Sequence, residues 1–150
     1  MLDSETLFFN SINDYFDKNK KNWKIIKSDY VYSYIDFILI NLNNLYSIHL
    51  EYKERQYCRG YNHYDSYFIS LRKYEAIKKC YNNCYIVWDF THNTKNDNEF
   101  YYIKFNDELF KSFEKDHSKN RLLIPSNFCK THFKNLILDM VEAIPNKNLI

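Results

Sequence analysis

Three ionisable residues have the types and the spacing of a metal-dependent site. Asp36 interrupts the apolar stretch 35–39, and a carboxylate is costly to bury without a partner. Glu51 and Lys53 lie two residues apart in the stretch LYSIHLEYKER, residues 45–55, so a strand there would project both side chains from one face. Carboxylates that approach each other repel, and a divalent cation removes that repulsion. Mg²⁺ in particular prefers carboxylate, water and phosphate oxygens.

The same residues also have a simpler interpretation. Glu51 and Lys53 can form a weak ion pair on the solvent face of a half-buried strand. Asp36 can be satisfied by a structural network of hydrogen bonds. The two interpretations differ in whether Asp36 and Glu51 meet in the folded chain.

The periodicity of apolar residues predicts the elements that must position these side chains. Strands are predicted at 31–41, 45–55, 67–70, 84–90 and 99–105, and helices at 4–17 and 71–82. The first two strands, joined by a turn at 41–44, should form an antiparallel hairpin with Asp36 inside its first strand. Towards the end of the chain we expect a helix at 107–115, a strand or extended arm at 121–125 and an amphipathic helix at 131–144.

Composition limits the class of protein. The 150 residues suit one domain, 1–150, and 15 Tyr with 12 Phe exclude a disordered chain. The formal net charge is only +2, so binding to nucleic acid would require a local basic patch. Abundant Lys, Asn, Ile, Tyr and Phe with a single Gly are typical of an AT-rich genome, such as that of a virus.

The chain gives no sign of membrane insertion or secretion. The first residues, MLDSETLFF, are acidic, unlike a signal peptide, and the apolar run IDFILINL is too short to cross a bilayer. We therefore expect no membrane partner and an intracellular, cytoplasmic location, inside the host cell if the protein is viral. The four Cys would then stay reduced.

Asp36 followed by Glu51-Tyr52-Lys53 resembles the PD-(D/E)xK signature of the restriction-endonuclease-like nuclease superfamily. The predicted order of elements is similar to the α-β-β-β-α-β core of that superfamily, and the layout is closest to small Holliday-junction resolvases and phage-type nucleases. The resemblance covers about residues 4–105. It implies an α/β (α+β) fold with a central mixed sheet flanked by helices, to which residues 106–150 would add a C-terminal helix.

The chain departs from the family signature at one position, where it has Ile35 and the family often has Pro. The resemblance implies that Asp36, Glu51 and the backbone carbonyl of Tyr52 hold Mg²⁺ or Mn²⁺. Lys53 would position the water that attacks a phosphodiester of DNA. The resemblance also gives an acidic residue of the first helix, Glu5, a catalytic role, in which it would help to hold the metal through a water.

The resemblance further implies contacts with the phosphates of DNA, which position a protein without reading sequence. The basic residues expected to make them are Arg55, Arg59, Arg72, Lys73 and Lys78. Resolvase-like nucleases are typically dimers, which favours a homodimer here.

Three alternatives remain at this stage. The chain could be a catalytically inactive nuclease-fold domain that binds nucleic acid or a protein. It could be a structural or interaction protein of a viral genome, with helix 131–144 as its docking face. Finally, Cys80, Cys84, Cys129 and His132 could bind zinc, although their spacing is loose.

Overall fold

The structure, a computed structural model, describes residues 3–28, 35–56, 65–80, 83–91 and 99–142. Within these ranges the chain is a mixed α/β protein with a six-stranded mixed sheet, a second sheet of three strands and four α-helices. The mixed α/β class expected from the sequence is confirmed.

The elements in the first part of the chain are α1 (Ser4–Lys18), β1 (Trp23–Lys27), β2 (Phe37–Asn41), β3 (Ser47–Glu54), β4 (Ser66–Ser70), α2 (Leu71–Cys80), β5 (Cys84–Asp89) and β6 (Phe100–Lys104). They are followed by α3 (Asp107–Lys111), β7 (Lys115–Asp116), β8 (Arg121–Pro125), a 3₁₀ turn (Ser126–Phe128), β9 (Lys130–Thr131), α4 (Phe133–Ile137) and a π-helical segment (Leu138–Glu142).

The main sheet has the strand order β1-β2-β3-β5-β6-β9. Only β3 and β5 are parallel, and every other neighbouring pair is antiparallel. A parallel pair requires a crossover connection, which here includes α2. The second sheet has the order β4-β8-β7 and lies apart from the main sheet in the hydrogen-bonding pattern, so the expected strand 67–70 does not extend the β2–β3 hairpin.

Each face of the main sheet has its own apolar core. The first core joins α1, α4 and the π-helical segment to one face, with the buried side chains Phe8, Ile12, Phe16, Phe37, Leu39, Ile48, Leu50, Val87, Phe100, Leu136 and Met140 among its members. The second core joins α2, α3 and the smaller sheet to the other face, with Ile69, Tyr74, Ile77, Ile86, Trp88, Phe110, Leu122 and Ile124 among its members. The sheet is therefore covered on both sides, as a central sheet flanked by helices requires.

Two strands of the main sheet, β1 and the two-residue β9, were not predicted. β1, with the sequence WKIIK, pairs with β2 in antiparallel register. Its two lysines are exposed and only Trp23 and Ile25 are buried, so the segment is too short and too polar to show a clear alternation. Partnering with β2 supplies the stability that its own sequence does not.

The strand predicted at 31–41 begins only at Phe37, and residues 31–34 lie outside the described ranges. The prediction that Asp36 lies inside a strand was wrong, because Asp36 forms a bend immediately before β2. The carboxylate explains the boundary: the Tyr52 N–H donates to Asp36 Oδ2 over 2.8 Å, in place of a backbone carbonyl. The ladder between β2 and β3 therefore ends at a side chain.

The C-terminal elements are shorter than the sequence predicts. The helix expected at 107–115 ends at Lys111, and residues 115–116 instead form β7. The helix expected at 131–144 begins at Phe133 and widens to π-helical geometry from Leu138, while Thr131 belongs to β9. No helix among the described residues is long and apolar enough to cross a membrane.

Candidate functional site

Glu51 occupies the middle of the site. It lies on β3 between the partners β2 and β5, and its residue surface is only 3 % exposed. The alternation predicted for this strand is confirmed, since Ile48, Leu50 and Tyr52 face the first core. At Glu51 the opposite face is not the solvent face of the simpler interpretation, because Glu51 is buried there against Lys73 of α2.

Two lysines approach the buried carboxylate. Lys73 Nζ donates to Glu51 Oε1 over 2.6 Å, and Lys53 Nζ lies 3.7 Å from the same oxygen. Lys73 stands in the first turn of α2, where its N–H donates to Ser70 Oγ over 3.0 Å. The helix start is therefore capped and holds Lys73 over β3. The second oxygen, Glu51 Oε2, is buried and has no hydrogen-bond partner among the described residues.

Asp36 lies near Glu51 at the end of the ladder between β2 and β3. Phe37 pairs with Leu50, and Asp36 precedes this pair, with its N–H donating to the Leu50 carbonyl over 3.1 Å and its Oδ2 accepting from the Tyr52 N–H. Burial raises the pKa of Glu51 most, and the charge of Asp36 raises it further, to about 7. Lys73 and Lys53 oppose this rise. The two predicted carboxylates are therefore close enough for their charges to interact.

Lys53 lies on the same face as Glu51 and is also largely buried, with 17 % of its side chain exposed. Burial lowers the pKa of Lys53 to about 8, assisted by the positive charges of Lys73 and Arg55, while Glu51 opposes the change. An amine with a pKa near 8 can both donate and accept a proton close to neutral pH.

Glu5 lies at the rim of this cluster, in the first turn of α1. Burial raises its pKa most, and the charge of Asp36 is the next cause, so the two carboxylates are neighbours. Lys27 at the end of β1 pairs with Glu5 at 3.6 Å. The ring of Phe8 stacks on Tyr52 at 4.4 Å, which fixes the start of α1 over the end of β3.

The remaining predicted DNA-contacting residues are divided between two regions. Lys73 belongs to the site, whereas Arg72 on the same helix is exposed. Lys78 pairs with Glu75 at 3.7 Å, one turn or more away along α2. Arg55 follows β3 and lies over an aromatic ring of the second sheet. Arg59 lies outside the described residues.

Asp89 supports the site and was not predicted from the sequence. The Tyr52 hydroxyl donates to Asp89 Oδ2 over 2.6 Å, and the N–H and hydroxyl of Thr91 donate to Asp89 Oδ1. Asp89 is buried at the end of β5, beside the end of β3. The hydrogen bond locks the side chain of Tyr52 while its N–H holds Asp36. A single Asp at the end of an apolar strand gives no spacing by which to identify this role.

Tyr52→Phe should lower the free energy of unfolding by about 1–2 kcal/mol, because a buried hydrogen bond to a carboxylate is lost. Tyr15→Phe is a suitable control, since its hydroxyl makes a longer, exposed bond of 3.3 Å to Glu142. Urea denaturation of both variants measures the difference. Equal stability of the two variants would show that the Asp89 contact does not stabilise the end of β3.

Asp36 and Glu51 supply only some of the oxygen ligands that a hard cation needs. No group of three or more His, Cys, Asp or Glu side chains is arranged to hold a metal within the described part of the chain. A cation at Asp36 and Glu51 would therefore need backbone, water or phosphate oxygens as further ligands, as Mg²⁺ commonly does. Glu51 Oε2, which has no hydrogen-bond partner among the described residues, is available to bind such a cation. Of the cysteines considered for zinc, Cys84 is buried in the second core and both Cys84 and Cys129 are free thiols.

Comparisons of the chain with protein-family models, with curated proteins and with solved structures find no match. The functional interpretation of Asp36, Glu51 and Lys53 is therefore based on the chemistry and geometry of the site.

Proposed function

We propose that the protein is a metal-dependent DNA endonuclease that hydrolyses phosphodiester bonds, with branched or structured DNA as its substrate class. The observation that carries the proposal is the buried Glu51, which has the charge of Asp36 near it, Lys53 beside it and one oxygen without a hydrogen-bond partner among the described residues. A buried carboxylate with a raised pKa, as Glu51 has, is more typical of a functional site than of a surface ion pair.

The order of the elements supports a restriction-endonuclease-like core. The helix α1, the antiparallel strands β1, β2 and β3, the helix α2 and the parallel strand β5 follow one another as α-β-β-β-α-β, once β4 is assigned to the second sheet. Asp36 then stands immediately before the second strand, and Glu51 and Lys53 lie in the third. The unpredicted strand β1 supplies the first of the three.

In the proposed site Asp36, Glu51 and the backbone carbonyl of Tyr52 would hold Mg²⁺ or Mn²⁺, with Glu5 close enough to act through a water. A bound cation supplies positive charge that stabilises the developing charge on phosphate oxygens. Lys53 would position the attacking water by a hydrogen bond from its ammonium group. Lys73 neutralises Glu51 and fixes its orientation, which makes it a positioning residue.

DNA would bind at the site through contacts between its phosphates and basic side chains. Arg55 extends β3 beyond Lys53, and Arg72 is exposed on α2 next to Lys73. Phosphate contacts of this kind give affinity that falls with salt, with a slope that reports their number. A homodimer would present two such sites to a branched substrate, and its mass can be measured by light scattering.

The test is cleavage of labelled DNA by the full-length protein in Mg²⁺ and in excess chelator. A four-way junction, a flap and a linear duplex of the same sequence form the substrate set. We expect Mg²⁺-dependent cleavage of at least one branched substrate. Absence of cleavage in Mg²⁺ and Mn²⁺ on all three substrates would contradict the proposal.

The Lys73–Glu51 bond of 2.6 Å favours a second candidate, a non-catalytic domain that binds nucleic acid. In such a domain the lysine would replace the cation as the permanent partner of Glu51. It would bind DNA with a strong salt dependence and without cutting it. Gel-shift assays run beside the cleavage assay distinguish the two candidates.

The pH dependence of cleavage should be bell-shaped. Glu51, with a pKa raised to about 7, must be ionised to hold a cation, and Lys53, with a pKa lowered to about 8, must keep its proton to donate. We expect kcat/KM to rise about tenfold per pH unit below 7 and to fall above 8. Initial rates from pH 5.5 to 9.5 measure the profile. A profile that is flat between pH 5.5 and 7 would contradict the assignment of Glu51.

A further inference from the structure

A pocket of about 460 Å³ lies between the two sheets, beside the end of β3. Its walls combine aromatic rings with guanidinium groups. Its lining includes Arg55, Gln56, Asp65, Phe68, Trp88 and Arg121. A pocket of this size and character is in the range of those that bind small organic ligands.

Phe68 is the accessible ring of the pocket. It is 38 % exposed, whereas Trp88 is 1 % exposed. The guanidinium carbon of Arg121 lies 4.8 Å from the centroid of the Phe68 ring, and that of Arg55 lies 5.5 Å from it. Two cations are thus gathered on one aromatic side chain, which favours a ligand that is both planar and anionic.

The walls are fixed by contacts of their own. Trp88 Nε1 donates to the Phe68 carbonyl over 3.1 Å, which ties β4 to β5. Arg121 Nε donates to Asp116 Oδ2 over 3.3 Å, which orients its guanidinium. These contacts hold two walls of the pocket in place. A base that stacks on Phe68 must displace a guanidinium group that lies over the ring, and that group is then free to bind the adjoining phosphate.

The pocket adjoins the proposed nuclease site. Arg55 follows Lys53 by two residues, and its N–H donates to the Asp89 carbonyl over 2.9 Å, so it continues the line of β3. Two residues of strand advance about 6.6 Å.

We propose that this pocket binds one unpaired nucleotide of the DNA substrate, with the base stacked on Phe68 and the adjoining phosphate on Arg55 and Arg121. The proposal rests on the proposed nuclease function, whose substrate it narrows to DNA with a single-stranded segment beside the cleaved bond. Stacking on an aromatic ring accepts any base, because every base has a π-face. Asp65 and Gln56 at the pocket wall offer hydrogen-bonding groups to base edges.

The experiment measures binding of a fluorescent single-stranded DNA of twelve thymidines to the full-length protein in chelator, where no cleavage occurs. The variants are Phe68→Ala and, as matched control, Phe128→Ala, another exposed aromatic at 47 % exposure that lies outside this pocket. We expect Phe68→Ala to weaken binding by about tenfold, the typical effect of losing one base stack, and Phe128→Ala by less than about twofold. Phe68→Trp, which keeps an aromatic face, should retain the affinity.

An abasic nucleotide placed at each position in turn completes the test. At one position it should weaken binding to the wild type by the same factor as Phe68→Ala, and it should not weaken binding to Phe68→Ala further. Equal affinity of wild type, Phe68→Ala and Phe68→Trp for all these oligonucleotides would overturn the pocket proposal. If DNA cleavage still depends on Glu51 in that case, the nuclease function stands without it; if neither binding nor cleavage occurs, both proposals fail.

Discussion

Glu51→Gln should lower Mg²⁺-dependent DNA cleavage by about a thousandfold or more, because the variant keeps the shape of the buried side chain and removes its charge. Asp36→Asn and Lys53→Met should have comparable effects, since the three groups act on one phosphodiester. Effects of residues that act as a unit are not additive, so the triple variant should be little worse than the most impaired single variant. Single-turnover cleavage of the preferred substrate gives the rates.

Glu54→Gln is the matched control for this series. Glu54 is the last residue of the same strand but is exposed. Its amide variant therefore removes a carboxylate and leaves Asp36 and Glu51 unchanged. It should cleave at a rate within about threefold of the wild type, as surface changes usually have small effects. Cleavage that survives Asp36→Asn, Glu51→Gln and Lys53→Met would contradict the proposed site.

Lys73→Met should lower the free energy of unfolding at pH 8 by about 3 kcal/mol, because it removes the closest partner of a buried carboxylate. The loss should be less than half as large at pH 5. The pKa of Glu51 is raised from 4.5 to about 7, so in the folded protein Glu51 is protonated and neutral at pH 5. Denaturant unfolding of wild type and variant at both pH values measures the effect.

The sign of this dependence follows from linkage. A carboxyl group whose pKa is higher in the folded state stabilises the fold below its unfolded pKa, and that stabilisation is lost as pH rises through the folded pKa. In the wild type, a rise in the pKa of Glu51 from 4.5 to about 7 corresponds to a fall in the free energy of unfolding on the order of 3 kcal/mol between pH 5 and pH 8. Lys73 lowers this pKa, so the fall should be larger in Lys73→Met. The double variant Lys73→Met/Glu51→Gln should be free of this loss. If Lys73→Met is equally destabilising at both pH values, the burial of an ionised Glu51 is not its cause.

The sequence predicted those elements that have a strong internal pattern. The stripe of Phe8, Ile12 and Phe16 identified α1, and strict alternation identified β3 with Glu51 and Lys53 on one face. The antiparallel hairpin then followed from the turn between the strands. The approach of Asp36 to Glu51 could be predicted only as far as the hairpin itself, because a register depends on local patterning and turn position.

Other features depend on contacts that are distant in the sequence. β1 has three apolar residues and is a strand only because β2 pairs with it. Lys73 was predicted as a phosphate contact, yet it bonds to Glu51, twenty-two positions away along the chain. The approach of Lys73 to Glu51 follows from the crossover between the parallel strands β3 and β5, which includes α2. A single sequence shows spacing along one element but not the element that packs over it.

The most direct test of the central claim is calorimetric titration of Mn²⁺ into the wild type, Glu51→Gln and Glu54→Gln at pH 8. At this pH Glu51 is ionised and available as a ligand. We predict one binding site in the wild type and in Glu54→Gln, and none in Glu51→Gln. Binding of equal strength in all three proteins, or no binding in the wild type, would contradict a divalent-cation site at Asp36 and Glu51.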